Sequence, residues 1–207
     1  MKHISFAILV SLVTVFTAHA AMPTIRVSDD VVHDINPNLF GQFLERPSWG
    51  GEIGPEAAVN PETGKLDPRV VAAMRSMDAP VLRFPGGTDI MIMDLRDMIS
   101  NVPGRGTGRP ISTGKDGDTV TNHFGYDEFL QLCQEIGSQA LLPVSVRQFV
   151  EGKESVEKGA FRAACLVAYC NARVDADLPD ELLAYARLRA ENGHPAPYNV
   201  RYWQLGN

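Results

Sequence analysis

The segment "YNVRYWQLGN", Tyr198–Asn207, decides what kind of sheet this chain builds. Val200, Tyr202 and Trp203 favour an extended backbone, and the segment closes on a polar amide. An extended, apolar stretch that ends in this way reads as a core strand delivering Asn207 to a site. Three further segments share that form. "VLRFPGG", Val81–Gly87, sets Arg83 between Leu82 and Phe84 and then turns on glycines. "NPNLFGQFLERP", Asn36–Pro47, reads as a strand ending near Glu45, because Pro47 forbids continuation. "QALLPVSV", Gln139–Val146, reads as a strand ending near Ser145.

Between these strands the apolar positions recur at helical spacing. "DPRVVAAMRSM", Asp67–Met77, aligns Val70, Val71, Met74 and Met77, with Asp67 as N-cap and Pro68 at the first helical position. "YDEFLQLCQEIG", Tyr126–Gly137, aligns Phe129, Cys133 and Ile136 and stops on Gly137. Residues 158–171 and "DELLAYARLRAENGHP", Asp180–Pro195, supply two more helices. Residues 48–66 and 94–122 read as loops, the second holding "GRGTG" at 104–108, taken as a mobile loop. No internal repeat and no hairpin signal is visible. Buried strands alternating with amphipathic helices predict parallel βαβ units. Two architectures fit, a doubly wound sheet and a TIM barrel. No glycine fingerprint follows the first strand, which speaks against dinucleotide binding.

The 207 residues are 44% hydrophobic and 21% charged, with a formal net charge of -6. No basic run offers a nucleic-acid face, and an acidic chain gains nothing from phosphate backbones or anionic membranes. Residues 1–20, "MKHISFAILVSLVTVFTAHA", have the basic start, apolar run and Ala-His-Ala end of a secretory signal peptide cleaved near Ala20. Lys2 is the charged residue they carry, so its loss takes the charge from -6 to -7. A secreted or periplasmic location is therefore expected, with no membrane attachment after cleavage. Residues 21–32 are assigned to an N-terminal strand or linker and residues 33–207 to the main domain. Cys133, Cys165 and Cys170 lie in apolar helical patterns and read as buried free thiols.

Glu45, Arg83 and Asn207 thus stand at the ends of predicted parallel strands, the positions that converge on one mouth in an α/β barrel. A charge inside an apolar strand needs a partner, and Glu45 is the candidate partner for Arg83. A structural ion pair explains these two residues as well as a functional site does. His123, in "TNHFG", reads as a hydrogen-bonded loop anchor more readily than as a ligand.

The ordered segments "INPNLFGQFLE", "VLRFPGG", "NHFGYDEFLQLCQEIG", "LVAYCN" and "RAENGHPAPYNVRYWQLGN" resemble successive motifs of glycoside hydrolase family 51, the α-L-arabinofuranosidases, across residues 33–207. The resemblance implies the first half of a (β/α)8 barrel, with four core strands present and the family's β-sandwich domain missing. It implies hydrolysis, with retention, of terminal arabinofuranosyl residues on plant-type polysaccharides or oligosaccharides, using two glutamates and no cofactor or metal. Asn207 matches the Asn that the family's acid/base Glu directly follows, so the chain holds no catalytic carboxylate and is expected to be inactive alone. Glu45 matches a Glu that bonds sugar hydroxyls, Arg83 an Arg that orients the carboxylates, and Asn207 an Asn that contacts the 2-hydroxyl. Thr88 and Asp89 stand where the family continues from "PGG" into Asn, which places Thr88 at the rim of the sugar pocket. "SVRQF" brings Arg147 and Gln148 where the family has Asn and small residues, and the 94–122 loop lacks the family's frequent tryptophan. An arabinose-containing glycan is the expected partner, and a homo-oligomer is compatible with the full-length form. A non-catalytic glycan-binding homologue, or a glycosidase of the same clan acting on a xyloside or β-glucan, remain as alternatives.

Overall fold

The computed structural model describes residues 25–45, 54–60, 62–91, 94–105, 108–114, 117 and 119–207. The expected leader, residues 1–20, lies outside the described residues. The chain divides into two units, with the boundary in sequence between Asp34 and Ile35. In the first, residues 25–34 are exposed and carry no strand. Of the N-terminal strand or linker assigned to residues 21–32, the described residues 25–32 form no strand: they have no ladder partner among the described residues, and a lone extended segment is not stable in water.

The second unit is built on four parallel strands: β1 (Gln42–Phe43), β2 (Val81–Arg83), β3 (Gln139–Val144) and β4 (Tyr202–Leu205). They pair in chain order, β1-β2-β3-β4. Phe43 stands opposite Arg83, Arg83 opposite Leu141, and Leu141 opposite Tyr202. This order settles which of the two expected architectures the chain adopts. A doubly wound sheet reverses its strand order at a switch point, whereas here each strand is laid down beside its predecessor without reversal. The sheet also curls. Strands β1 and β4 lie three spacings of about 4.8 Å apart, roughly 14 Å along a flat sheet. Yet Asn38, just before β1, donates through Nδ2 to the Tyr202 hydroxyl at 3.0 Å. A consecutive, all-parallel, curled sheet is the first half of a (β/α)8 barrel.

Helices α1 (Pro68–Ser76), α2 (Tyr126–Ile136), α3 (Arg147–Val150), α4 (Val156–Asn171) and α5 (Asp180–Glu191) connect the strands. Local signals mark the start of α1 and both ends of α2. Asp67 Oδ1 caps α1 by accepting from the Arg69 N–H at 2.8 Å, with Pro68 at the first turn. Glu128 accepts from the Gly125 N–H at 2.7 Å to cap α2, and Gly137, at φ +82°, ends it. Leu82, Phe84, Phe129, Leu132, Leu142, Tyr169 and Cys170 are fully buried in the core cluster. Each apolar side chain so buried contributes about 1.5–3 kcal/mol. The three cysteines are free and buried, and burial pushes the Cys133 thiol up to about 12.

Two local expectations are corrected. The first strand is shorter than "NPNLFGQFLE", because Asn36 accepts from the Asn38 N–H at 3.0 Å and Pro37–Phe40 form a 3-10 turn. Two small hairpins interrupt the predicted loops, Val59–Asn60 with Lys65–Leu66 and Ser112–Thr113 with Thr119–Val120. In the first, the Asn60 side chain accepts from the Glu62 and Thr63 N–H groups, at 2.9 and 3.2 Å, within "NPETGK". Within the predicted loop "GRGTG", the Arg105 guanidinium donates to the carbonyls of Ile99 at 2.6 Å and Gly108 at 3.2 Å. Residues 106–107 lie outside the described residues.

Candidate functional site

Side chains alternate across a strand, so with Leu82 buried in the helix-facing core, Arg83 projects to the concave face. It is 5% exposed, and a guanidinium taken that far from water needs acceptors. Its Nε–H donates to Gln204 Oε1 at 2.8 Å and its Nη2–H to Asn207 Oδ1 at 2.5 Å. The Arg83 Cζ lies 5.1 Å from the centroid of the Phe43 ring. Gln204 belongs to β4, two strands from Arg83, and pairs in register with Pro143 of the intervening β3. The curl of the sheet lets these side chains meet over β3.

Asn207 reaches Arg83 because the backbone turns at Gly206, which sits at φ +72° and donates its N–H to the Val144 carbonyl at 2.9 Å. A side chain there would be strained, and its Cβ would lie 2.8 Å from Val146 Cγ2. Glu45 follows β1, whose ladder continues through the Leu44 N–H to the Arg83 carbonyl at 2.9 Å. Its carboxylate is packed against the Gly86–Gly87 turn. A Cβ on Gly86 would be 3.2 Å from Glu45 Cβ and 3.4 Å from Arg83 Nη1, so both functional side chains border the same glycine. A Cβ on Gly87, at φ +58°, would fall 1.9 Å from Glu45 Oε1. Gly87→Ala is accordingly expected to displace the Glu45 carboxylate. Stability should fall by about 1 kcal/mol for the unfavourable backbone. A crystal structure and thermal melts of the variant check both.

Three of the four expected binding residues thus come together. Glu45, Arg83 and Asn207 share the concave face at the C-terminal ends of β1, β2 and β4. The expected pairing differs: among the described residues, Arg83 bonds to the amides of Gln204 and Asn207, not to Glu45. Neutral acceptors satisfy the guanidinium and leave the Glu45 carboxylate exposed. Thr88 begins the 3-10 turn Thr88–Met91 that follows the glycines; its side chain lies outside the described residues. Arg147 turns to Glu151, at 2.6 Å, and is spent on the surface of α3. His123 is an anchor, as its sequence context predicts: Nδ1 meets Thr121 Oγ1 at 2.5 Å and Nε2 meets the Glu56 carbonyl at 3.0 Å.

Sequence reading missed Gln204 and a buried polar network behind the sheet. In that network, Asp127 is 4% exposed and accepts from the Tyr169 hydroxyl at 2.7 Å, the Tyr198 hydroxyl at 3.2 Å and Asn192 Nδ2 at 3.3 Å. Burial holds its pKa above the usual carboxylate value, outweighing these donors and the Arg109 guanidinium 3.9 Å away. Arg109 forms a two-bond pair with Glu128, at 2.6 and 2.9 Å, which pins the 94–122 loop to α2. The network joins α2, α4, α5 and the segment leading into β4, and so sets where Gln204 and Asn207 arrive.

A half-barrel whose strand ends gather a buried arginine, two amides and an exposed carboxylate belongs to the class of (β/α)8-barrel proteins with a polar binding mouth. Residues 73–207 match the model of the alpha-L-arabinofuranosidase 1 domain. The chain belongs to that family, the arabinofuranosidases of glycoside hydrolase family 51. It is 32% identical over 179 residues to the probable alpha-L-arabinofuranosidase C of Aspergillus fumigatus, covering 85% of this chain and 32% of that protein. It is 28% identical over 176 residues to the intracellular exo-alpha-(1->5)-L-arabinofuranosidase of Streptomyces lividans, covering 84% of this chain and 24% of that protein. The crystal structure of the Thermotoga maritima alpha-L-arabinofuranosidase arabinose complex aligns with a TM-score of 0.58 and 27% identity, over 81% of this chain and 31% of that one. The chain therefore spans about a third of the length of the first of these curated relatives.

Proposed function

We propose that the full-length protein hydrolyses terminal α-L-arabinofuranosyl residues with retention, and that this chain supplies the half of the barrel mouth that positions the sugar. The carrying observation is the Arg83–Asn207 hydrogen bond at 2.5 Å, beside an exposed Glu45. Arg83 is a donor only, so Asn207 presents Oδ1 to it and keeps its amide Nδ2 for a ligand. Glu45 offers acceptor oxygens alone. An amide donor next to a carboxylate suits the adjacent hydroxyls of a neutral sugar, one accepting and one donating.

Retention requires two carboxyl groups roughly 5–5.5 Å apart. Among the described residues, Glu45 is the carboxylate that borders Arg83, and its role in this reading is to hold hydroxyls. The two reacting glutamates are assigned to positions beyond Asn207. The full-length protein should cleave an aryl α-L-arabinofuranoside, and residues 21–207 alone should not. Turnover of aryl xylosides or β-glucosides in place of the arabinofuranoside would redirect the substrate, and tight arabinose binding without turnover would point to a binding protein. Export follows from residues 1–20, and N-terminal sequencing of the mature protein should begin near Ala21.

A further inference from the structure

We propose that Gln204 is a positioning residue that sets the plane of the Arg83 guanidinium, an inference that rests on the sugar-binding reading above. Gln204 stands half-buried between Trp203 and Leu205 in β4. A primary amide there loses water and needs a partner. The partner is Arg83, whose Nε–H donates to Gln204 Oε1 at 2.8 Å.

The geometry gives this bond a particular consequence. Rotation about the Cδ–Nε bond of an arginine swings both terminal nitrogens together. A hydrogen bond at Nε, together with the one at Nη2, holds the guanidinium plane at two points. With Nε held by Gln204 and one face against the Phe43 ring at 5.1 Å, Nη2 is aimed at Asn207 Oδ1 and Nη1 lies towards Gly86 and Glu45. Gln204 thus acts on the sugar through Arg83 and Asn207, by keeping the Asn207 amide donor turned to the cleft. Because Oε1 faces the arginine, its own Nε2 also faces away from Arg83.

Two substitutions separate this role from packing. Gln204→Met keeps the side-chain length and removes the acceptor. Gln204→Glu keeps an acceptor oxygen for Arg83. In the isotope-labelled full-length protein, the Arg83 Nε–H resonance is expected to be protected from solvent exchange in wild type and in Gln204→Glu, and to lose that protection in Gln204→Met. In the full-length protein, Gln204→Met should lower kcat/KM for an aryl α-L-arabinofuranoside about tenfold to a hundredfold, the range for loss of a bond to a charged group. Gln204→Glu should recover most of it. Gln204→Ser, which removes the acceptor without adding apolar bulk, repeats the test if methionine disturbs the fold. A wild-type Arg83 resonance in Gln204→Met, or equal loss of activity in Gln204→Met and Gln204→Glu, overturns the proposal. A full-length wild type that leaves arabinofuranosides untouched sinks the functional reading instead, and the Arg83 resonance then decides the role of Gln204 alone.

Discussion

Arg83→Leu is expected to lower kcat/KM of the full-length protein towards an aryl α-L-arabinofuranoside by a hundredfold or more, about 2.7 kcal/mol of transition-state stabilisation. The side chain is 5% exposed and held at two different nitrogens. Its removal frees Asn207 to rotate and leaves the oxygens of Gln204 and Asn207 without their charged donor. Hydrogen bonds to a charged group contribute about 1.5–3 kcal/mol each. Arg83→Lys should not rescue activity, because an ammonium is a point charge on a flexible stem and cannot reproduce two directed bonds in one plane. Steady-state kinetics on both variants, with thermal melts to confirm folding, test this. Lysine restoring wild-type rates would show that charge alone matters at this position.

Asp127→Ala should destabilise the chain by about 3–5 kcal/mol, the range for removing one member of a buried, hydrogen-bonded charge network. It would leave the hydroxyls of Tyr169 and Tyr198 and the amide of Asn192 without their common acceptor, and uncover Arg109. The pH dependence has a definite sign. Burial raises the Asp127 pKa above its ordinary value of 3.8, so between that value and the folded one the native state binds more protons than the unfolded chain. Stability from this group is then fully present below 3.8 and is lost as pH rises through the folded pKa. Wild type should therefore gain stability relative to Asp127→Asn as pH falls from 7 into the acid range. Urea unfolding of both proteins at several pH values reads the difference directly. A loss of wild-type stability relative to Asp127→Asn on acidification would contradict the buried, raised carboxyl.

The strand ends were legible because polar residues there break an apolar pattern: Arg83 between Leu82 and Phe84, and Asn207 after "YWQLG". Helix limits were equally plain where a cap or a glycine marks them, as at Asp67 and Gly137. Gln204 shows the same interruption inside β4, but its partner lies 121 residues earlier, and only the curl of the sheet brings the two together. Asp127 and Glu128 both stand in the first turn of α2, where acids are common and carry no signal of their own. Which of the two is buried depends on α4 and α5 packing behind it, a tertiary fact with no local signature. The Glu45–Arg83 pair failed as an expectation because opposite charges on neighbouring strands are an inference from topology. The neutral amides of β4 satisfied the arginine first.

Everything proposed for this protein depends on Glu45, Arg83 and Asn207 forming one sugar-holding surface. A crystal structure of the full-length protein with bound arabinose tests that most directly. The account predicts sugar hydroxyls within hydrogen-bond distance of the Glu45 carboxylate and of the Asn207 amide nitrogen, with Arg83 still bonded to Asn207 Oδ1. Arabinose seated elsewhere, with Glu45 and Asn207 both out of its reach, would contradict it.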